Sequence, residues 1–334
     1  MDAPFLKRLL QSMNKEKRGR SQKVRDMLAD LPERTSACRV GDEARNTDIS
    51  CCGARGNYME LTEQQVRFFE TFGYIGLPGL LADRIDEIIG EFEGVWESRG
   101  GGHAGSPHDG KRRSCIVPFI DQSERLASLL DDSRILGAAK SLVGDDFNYM
   151  GSDGNYYAGD TPWHSDGWHS DIRHIKMALY LDPLTSDSGC LRVIPGSHLI
   201  QDRYAQSLQE MAGKSRDRLG LEGRDLPAIP LETTPGDLLI FNHNTKHAAF
   251  GGSGWRRMFT INLCERYPEA RLPDLRTYIS GGARFWIERS FGEIMMRTAG
   301  PERMRHLEQV MANDGHLAEL SRKARETMPE PSRG

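Results

Sequence analysis

Trp163-His164-Ser165-Asp166, with His247 and then Arg256 far downstream, combines residue types that can hold a metal ion and a small anion. Side chains alternate between faces along an extended strand, so His164 and Asp166 would project to one side and Ser165 to the other. Two imidazoles and one carboxylate on one face of an octahedral Fe(II) leave the opposite positions exchangeable, which suits oxygen chemistry. Arg256 follows the distal histidine at the distance from which the next strand can aim a guanidinium at a small dicarboxylate, which arginine grips bidentately. The chain also holds competitors. His169-Ser170-Asp171 repeats the pattern, His243 precedes His247, and Arg257 adjoins Arg256. His198, in Pro195-Gly196-Ser197-His198, is a further candidate, although a strand-ending turn favours a hydrogen-bonding role.

These residues need strands to carry them, and the grammar for strands begins at Phe147. Apolar runs separated by Gly, Pro, Asp and Asn predict strands at Phe147–Gly151, Asn155–Ala158, Lys176–Leu181, Cys190–Ile194, Asp237–Phe241, His247–Phe250 and Arg257–Cys264. The expected fold is mainly β: a double-stranded β-helix, or jelly roll, with helices from the N-terminal half and the C-terminus on one face. Thr62 should cap a helix through Phe72 with Gln65 completing the capping box, and Gly73 should end it before a strand at Tyr74–Leu77. Helices are also expected from Asp83 to about Trp96 and over Leu126–Leu142, a polar, partly helical insertion over Leu199–Asp225, and helices after Arg271 with a frayed last dozen residues. Gly100–Gly110 has the composition of a mobile loop, and is a lid candidate as much as a plain surface loop.

A chain of 334 residues, 38% of them hydrophobic, can bury a full-sized core. We expect one catalytic domain over 58–290, a polar N-terminal arm over 1–57 and a helical C-terminal extension over 291–334. The net charge of −4 gives no footprint for nucleic acid, and no apolar run is long enough to span a membrane or serve as a secretory leader. A cytoplasmic protein is expected, its arm a candidate contact between copies of the chain. The six cysteines lack Cys-x-x-Cys pairing, so a structural zinc site is not expected.

The ordered set of motifs, with Gly189-Cys190-Leu191-Arg192-Val193-Ile194-Pro195-Gly196-Ser197-His198 and Pro235-Gly236-Asp237 between the histidines, resembles the phytanoyl-CoA hydroxylase family of Fe(II)- and 2-oxoglutarate-dependent oxygenases, nearest to its small-molecule hydroxylases. The resemblance starts at Leu61 and runs to about Asn262. It implies Fe(II) on His164, Asp166 and His247 in preference to His169, Asp171 and His243. It implies also that Arg256 grips the distal carboxylate of 2-oxoglutarate, and that Asn155 and Tyr157 contact 2-oxoglutarate or substrate. The reaction implied consumes O2 and 2-oxoglutarate, releases succinate and CO2, and hydroxylates an unactivated C–H. Trp163, Trp168, Tyr156, Tyr157 and Trp255 are candidates for an aromatic wall, and Arg113, Arg173 and His174 for an anionic group of the substrate. Two other classes remain: a cupin-type metal-dependent isomerase or hydrolase, and a non-catalytic binding scaffold.

Overall fold

A computed structural model describes residues 59–334. The N-terminal arm, with Cys38, Cys51 and Cys52, lies outside the described residues. Helix α1 (Glu63–Phe72) opens with the expected capping box on Thr62 and closes at Gly73, whose φ of 82° is left-handed. Strand β1 (Tyr74–Leu77) follows, then α2 (Ile85–Ser98), which buries Ile88, Phe92, Val95 and Trp96. The single helix expected over Leu126–Leu142 is instead α3 (Glu124–Ala127), a 3-10 turn and α4 (Ser133–Val143). Asp132 interrupts it, because its carboxylate caps the Arg134 N–H and starts a new helix.

Between α2 and α3, Gly100–Gly110 contains a hairpin of β2 (Gly102–His103) and β3 (Ser106–Pro107), followed by β4 (Ser114–Ile116). Two buried histidines pin this hairpin: His103 bonds the Cys115 and Pro331 carbonyls, and His108 bonds Ser114 Oγ and the Gly254 carbonyl. It does not line the cavity described below, so the lid expectation fails here.

The remaining strands are β5 (Phe147–Tyr157), β6 (Thr161–His164), β7 (His174–Tyr180), β8 (Leu191–Val193), β9 (Ile229–Leu231), β10 (Leu238–Asn242), β11 (His247–Ala249) and β12 (Arg256–Glu265). The two strands expected between Phe147 and Ala158 are one, carried through its glycines by the long ladder with β12. All pairings are antiparallel, in a six-stranded sheet ordered β1-β10-β7-β12-β5-β4 and a four-stranded sheet ordered β6-β11-β8-β9.

Alternation decides what each face of the large sheet meets. Ile175, Met177 and Leu179 of β7, Leu238 and Ile240 of β10, and Phe259, Ile261 and Leu263 of β12 bury against the helices in one apolar core. That core takes in α5 (Arg203–Met211) and α6 (Ser215–Leu219) not at all, since these helices of the insertion pack around Trp163 and Phe250 instead. It does take in residues of α7 (Leu272–Ser280), α8 (Glu293–Thr298), α9 (Pro301–Met311) and α10 (Leu317–Thr327). The intervening side chains, Lys176, Ala178, Tyr180, Phe241, Met258, Thr260 and Asn262, turn the other way and line a cavity. The last dozen residues are tied down rather than frayed. The Ser332 N–H reaches the Arg284 carbonyl and the Arg333 guanidinium reaches the Arg113 carbonyl.

Candidate metal centre and its cavity

The cavity holds about 730 Å³ and draws its walls from both sheets and from α7 and the segment after it. His164 and His247 face each other across the antiparallel pair β6–β11, their ring centroids 4.2 Å apart. Asp166 completes the group, although not as strand alternation predicts, because β6 ends at His164 and Asp166 sits in the loop just beyond. Its N–H bonds the His243 carbonyl at 2.9 Å, which turns the loop inward. The backbone of Asp166 meets solvent while its side chain is only 17% exposed. His164 Nε2 lies 3.9 Å from Asp166 Oδ1, and His247 Nε2 lies 3.7 Å from Asp166 Oδ2. One ligand atom from each of the three residues lies within 4.8 Å of the other two.

The protonation of both rings follows from their partners. His164 Nδ1 is 2.8 Å from the Pro162 carbonyl and His247 Nδ1 is 2.9 Å from the Thr245 carbonyl. A carbonyl can only accept, so each Nδ1 carries a proton, and Nε2 is the nitrogen whose lone pair the neutral ring can offer a metal. Burial pushes the His247 imidazolium down to about 4, which keeps that ring neutral at ordinary pH. Burial opposes the charge on Asp166, but the Lys176 ammonium outweighs it and holds the carboxyl far below the usual carboxylate range.

Lys176 was not anticipated as a site residue. Its Nζ is 2.9 Å from Asp166 Oδ2. The signal was present in the sequence: a cation within the apolar run Ile175 to Leu181, on the same parity as the inward-facing Ala178 and Tyr180.

Arg256 and Arg257 separate as alternation requires. Arg257 points away and pairs with Asp182 and Glu93. Arg256 is 4% exposed, lines the cavity and donates to the Gly189 and Gly159 carbonyls, both at 2.6 Å. Its Nε is buried without a partner, and among the described residues no carboxylate pairs with it. A Cβ on Gly189 would fall 2.8 Å from Arg256 Nη1, so the Gly189-Cys190 pair leaves room for the guanidinium.

Tyr157 lines the cavity with the Arg113 guanidinium 4.4 Å over its ring and that of Arg256 at 5.5 Å. Asn155 does not line it. Its Oδ1 accepts from Arg113 Nε at 2.9 Å and its Nδ2 donates to Asp153 Oδ2 at 2.6 Å, so Arg113, arriving from beside β4, covers it. Of the five aromatic residues expected to form a wall, only Tyr157 does. Trp163 is buried beside Phe250, Tyr156 bonds Glu93 on the helix side, and Trp168 and Trp255 are exposed. Of the three expected anion-binding side chains, Arg113 lines the cavity, Arg173 reaches the Leu142 carbonyl, and His174 bonds Tyr267.

The Pro-Gly-Ser-His turn has a positioning role. His198 Nε2 bonds the Glu70 carbonyl, and Ser197 Oγ accepts the Lys246 N–H at 2.8 Å, one residue before His247. Gly73 completes the joint: its carbonyl receives the Asn242 N–H and Thr245 Oγ1, and a Cβ there would lie 2.4 Å from His198 Nδ1.

Residues 69–258, more than half of the chain, match the phytanoyl-CoA dioxygenase family. The chain belongs to that family. Its members are Fe(II)- and 2-oxoglutarate-dependent oxygenases, and this phytanoyl-CoA dioxygenase family member is an enzyme of that class. It is 27% identical over 203 residues to the 2-aminoethylphosphonate dioxygenase of the uncultured bacterium HF130_AEPn_1, a match spanning 56% of this chain and 74% of that one. It is 30% identical over 167 residues to the ectoine dioxygenase of Sphingopyxis alaskensis, spanning 43% of this chain and 54% of the relative. In fold it is similar to the non-heme alpha ketoglutarate dependent carbocyclase SnoK from nogalamycin biosynthesis, with a TM-score of 0.50 at 20% identity over 63% of this chain and 87% of that one.

Proposed function

We propose that this enzyme hydroxylates an unactivated C–H of a small-molecule metabolite, with His164, Asp166 and His247 holding Fe(II). The observation that carries the reading is the donor set itself: two Nε2 atoms, oriented by their Nδ1 partners, converge with one largely shielded carboxylate. Two imidazoles and a carboxylate on one side suit Fe(II) and leave room for other ligands. Iron and 2-oxoglutarate together would supply an oxygen-dependent oxidation coupled to release of succinate and CO2.

The protein's share is binding, orientation and exclusion of water. Arg256 supplies a buried cation for the distal carboxylate of 2-oxoglutarate, and Tyr157 forms the wall beside it. Asp166 fills the third protein position with an oxygen donor, which favours hydroxylation over halide transfer. The two sheets read as the jelly-roll core of a catalytic unit over 58–290, with 1–57 an arm and 291–334 an extension. Among the described residues no helix is long and apolar enough to cross a membrane.

Anaerobic Fe(II) with 2-oxoglutarate should give a visible charge-transfer band that His164→Ala and His247→Ala lose while remaining folded. Metabolite libraries should then yield a product one oxygen heavier, labelled from dioxygen, with stoichiometric succinate. Turnover without oxygen or without 2-oxoglutarate would overturn the reading and favour the cupin-type alternative.

A further inference from the structure

Two histidines that compete in the sequence for the iron, His169 of the repeated His-Ser-Asp string and His243, are left over by that site. The fold brings them together with His174 at the start of β7. The rings of His169 and His174 stack at 3.8 Å, and that of His243 lies 5.4 Å from His174 and 5.9 Å from His169. One nitrogen from each ring lies within 4.8 Å of the other two.

The nitrogens themselves point to a ligand. His169 Nε2, His174 Nδ1 and both ring nitrogens of His243 are buried without a hydrogen-bond partner. Buried polar atoms are nearly always paired, and each orphan is costly. Four orphans on three clustered rings form a concentration of unused donor capacity. His174 and His243 are 1% and 3% exposed, and His174 in particular lies away from the main cavity that His243 borders.

We infer that His169, His174 and His243 form a second metal site, for a borderline divalent ion of the zinc type, distinct from the His164-Asp166-His247 centre. Imidazole nitrogens suit zinc, copper, nickel and iron, and three histidines with a fourth open position are a recurrent zinc arrangement. A tetrahedral ion with Zn–N bonds of about 2.1 Å holds its ligand nitrogens roughly 3.4 Å apart, so the rings must draw in. Parallel rings cannot both aim in-plane lone pairs at one ion, so one ring must turn. His169 is placed to do so: it is half-buried, in the loop between β6 and β7, and borders a surface pocket of about 330 Å³ shared with Trp168, Tyr267 and Tyr278. That pocket also gives the ion an entry.

The ion would brace the neighbouring centre. The loop carrying His169 carries Asp166, and the turn carrying His243 leads into His247. Hydrogen bonds join the loop to the turn: the Asp166 and Gly167 N–H groups donate to the His243 carbonyl, Ser165 Oγ donates to the Asn244 carbonyl, and the His169 backbone exchanges bonds with the Asn244 amide at 2.8 and 2.7 Å.

The test uses Co(II) as a coloured probe on the full chain stripped with a chelator. A His164→Ala/His247→Ala variant, which disables the first centre, should still bind one Co(II) with the strong visible absorption of four-coordinate cobalt, displaceable by Zn(II). Adding His169→Gln, or separately His243→Gln, should abolish that band. Zn(II) should raise the melting temperature of the double variant by several degrees and leave that of the His169→Gln triple variant unmoved. Because His169 is the least buried of the three, its variant should melt like its metal-free parent, which keeps the result interpretable if His243→Gln fails to fold. No Co(II) binding by the double variant would overturn the inference. So would binding that survives His169→Gln, since the ion would then lie elsewhere.

Discussion

Replacing Lys176 by Met should make the proposed iron site bind metal more tightly while weakening the metal-free protein. Lys176 Nζ is 2.9 Å from Asp166 Oδ2, and both side chains are 17% exposed. With an effective dielectric of about 20, opposite charges at that distance attract by roughly 6 kcal/mol, most of which offsets the cost of removing both from water. Losing one partner leaves the other buried and uncompensated. With partial exposure taken into account, the loss is about 2 kcal/mol in the metal-free protein. A divalent ion on Asp166 supplies that compensation itself, so the metal-loaded protein should lose much less. By the thermodynamic cycle the difference reappears as affinity, and about 2 kcal/mol is roughly 30-fold. Removing a cation from beside a dication acts in the same direction. Methionine keeps the length and apolar stem of lysine, so packing is largely preserved. The assay is an anaerobic Fe(II) or Co(II) competition titration at pH 7.5, beside urea unfolding with chelator and with saturating metal. Unchanged or weakened metal affinity in Lys176→Met, or equal destabilisation with and without metal, would refute the reasoning.

Arg256→Ala should weaken 2-oxoglutarate by roughly 30-fold or more with little change in Fe(II) affinity, because a buried charged hydrogen bond left unmade costs about 2–5 kcal/mol. Arg257→Ala should leave 2-oxoglutarate binding intact, since its guanidinium is paired with Asp182 and Glu93; isothermal titration of both variants with a non-redox metal decides between them. Burial raises the Asp121 carboxyl to about 6 against the pull of its bonds from the Gly292 N–H and the Tyr149 hydroxyl. A raised acid holds its proton in the folded chain after the unfolded chain has lost it, so its contribution is full below about pH 4 and is lost as pH rises through about 6. Asp121→Asn should therefore gain up to about 3 kcal/mol on the wild type between pH 4 and pH 7.5 in urea unfolding, and a pH-independent difference would refute this. Gly73→Ala should cost at least about 2 kcal/mol, combining a left-handed φ with a Cβ that meets the His198 ring, and should loosen metal binding through the Thr245 and Lys246 backbone; an unchanged melting temperature would contradict it.

What the sequence discloses here divides by range. Elements set by local rules are legible: Thr62, Gln65 and Gly73 delimit α1 to the residue, and alternation locates β7, β10 and β12 and requires that only one of Arg256 and Arg257 face inward, the resemblance selecting Arg256. What depends on distant chain is not. Asn155 shares a strand and a parity with Tyr157, yet Arg113 comes across from beside β4 and takes its amide out of the cavity. The Gly-rich stretch 100–110 reads as loose by composition, but the carbonyls that pin it belong to Cys115, Gly254 and Pro331. The duplicate His-Ser-Asp strings show the boundary most clearly. Nothing in either triplet ranks one above the other; what separates them is where β6 stops. His164 is its last residue and stands opposite His247, and beyond it the loop is turned by its N–H bonds to the His243 carbonyl. That turn swings Asp166 back to the first pair of histidines and carries His169 past it, onto His174. By accepting the Asp166 and Gly167 N–H groups, the His243 carbonyl thus sorts the histidines into two clusters that the identical triplets, without their flanking residues, do not distinguish.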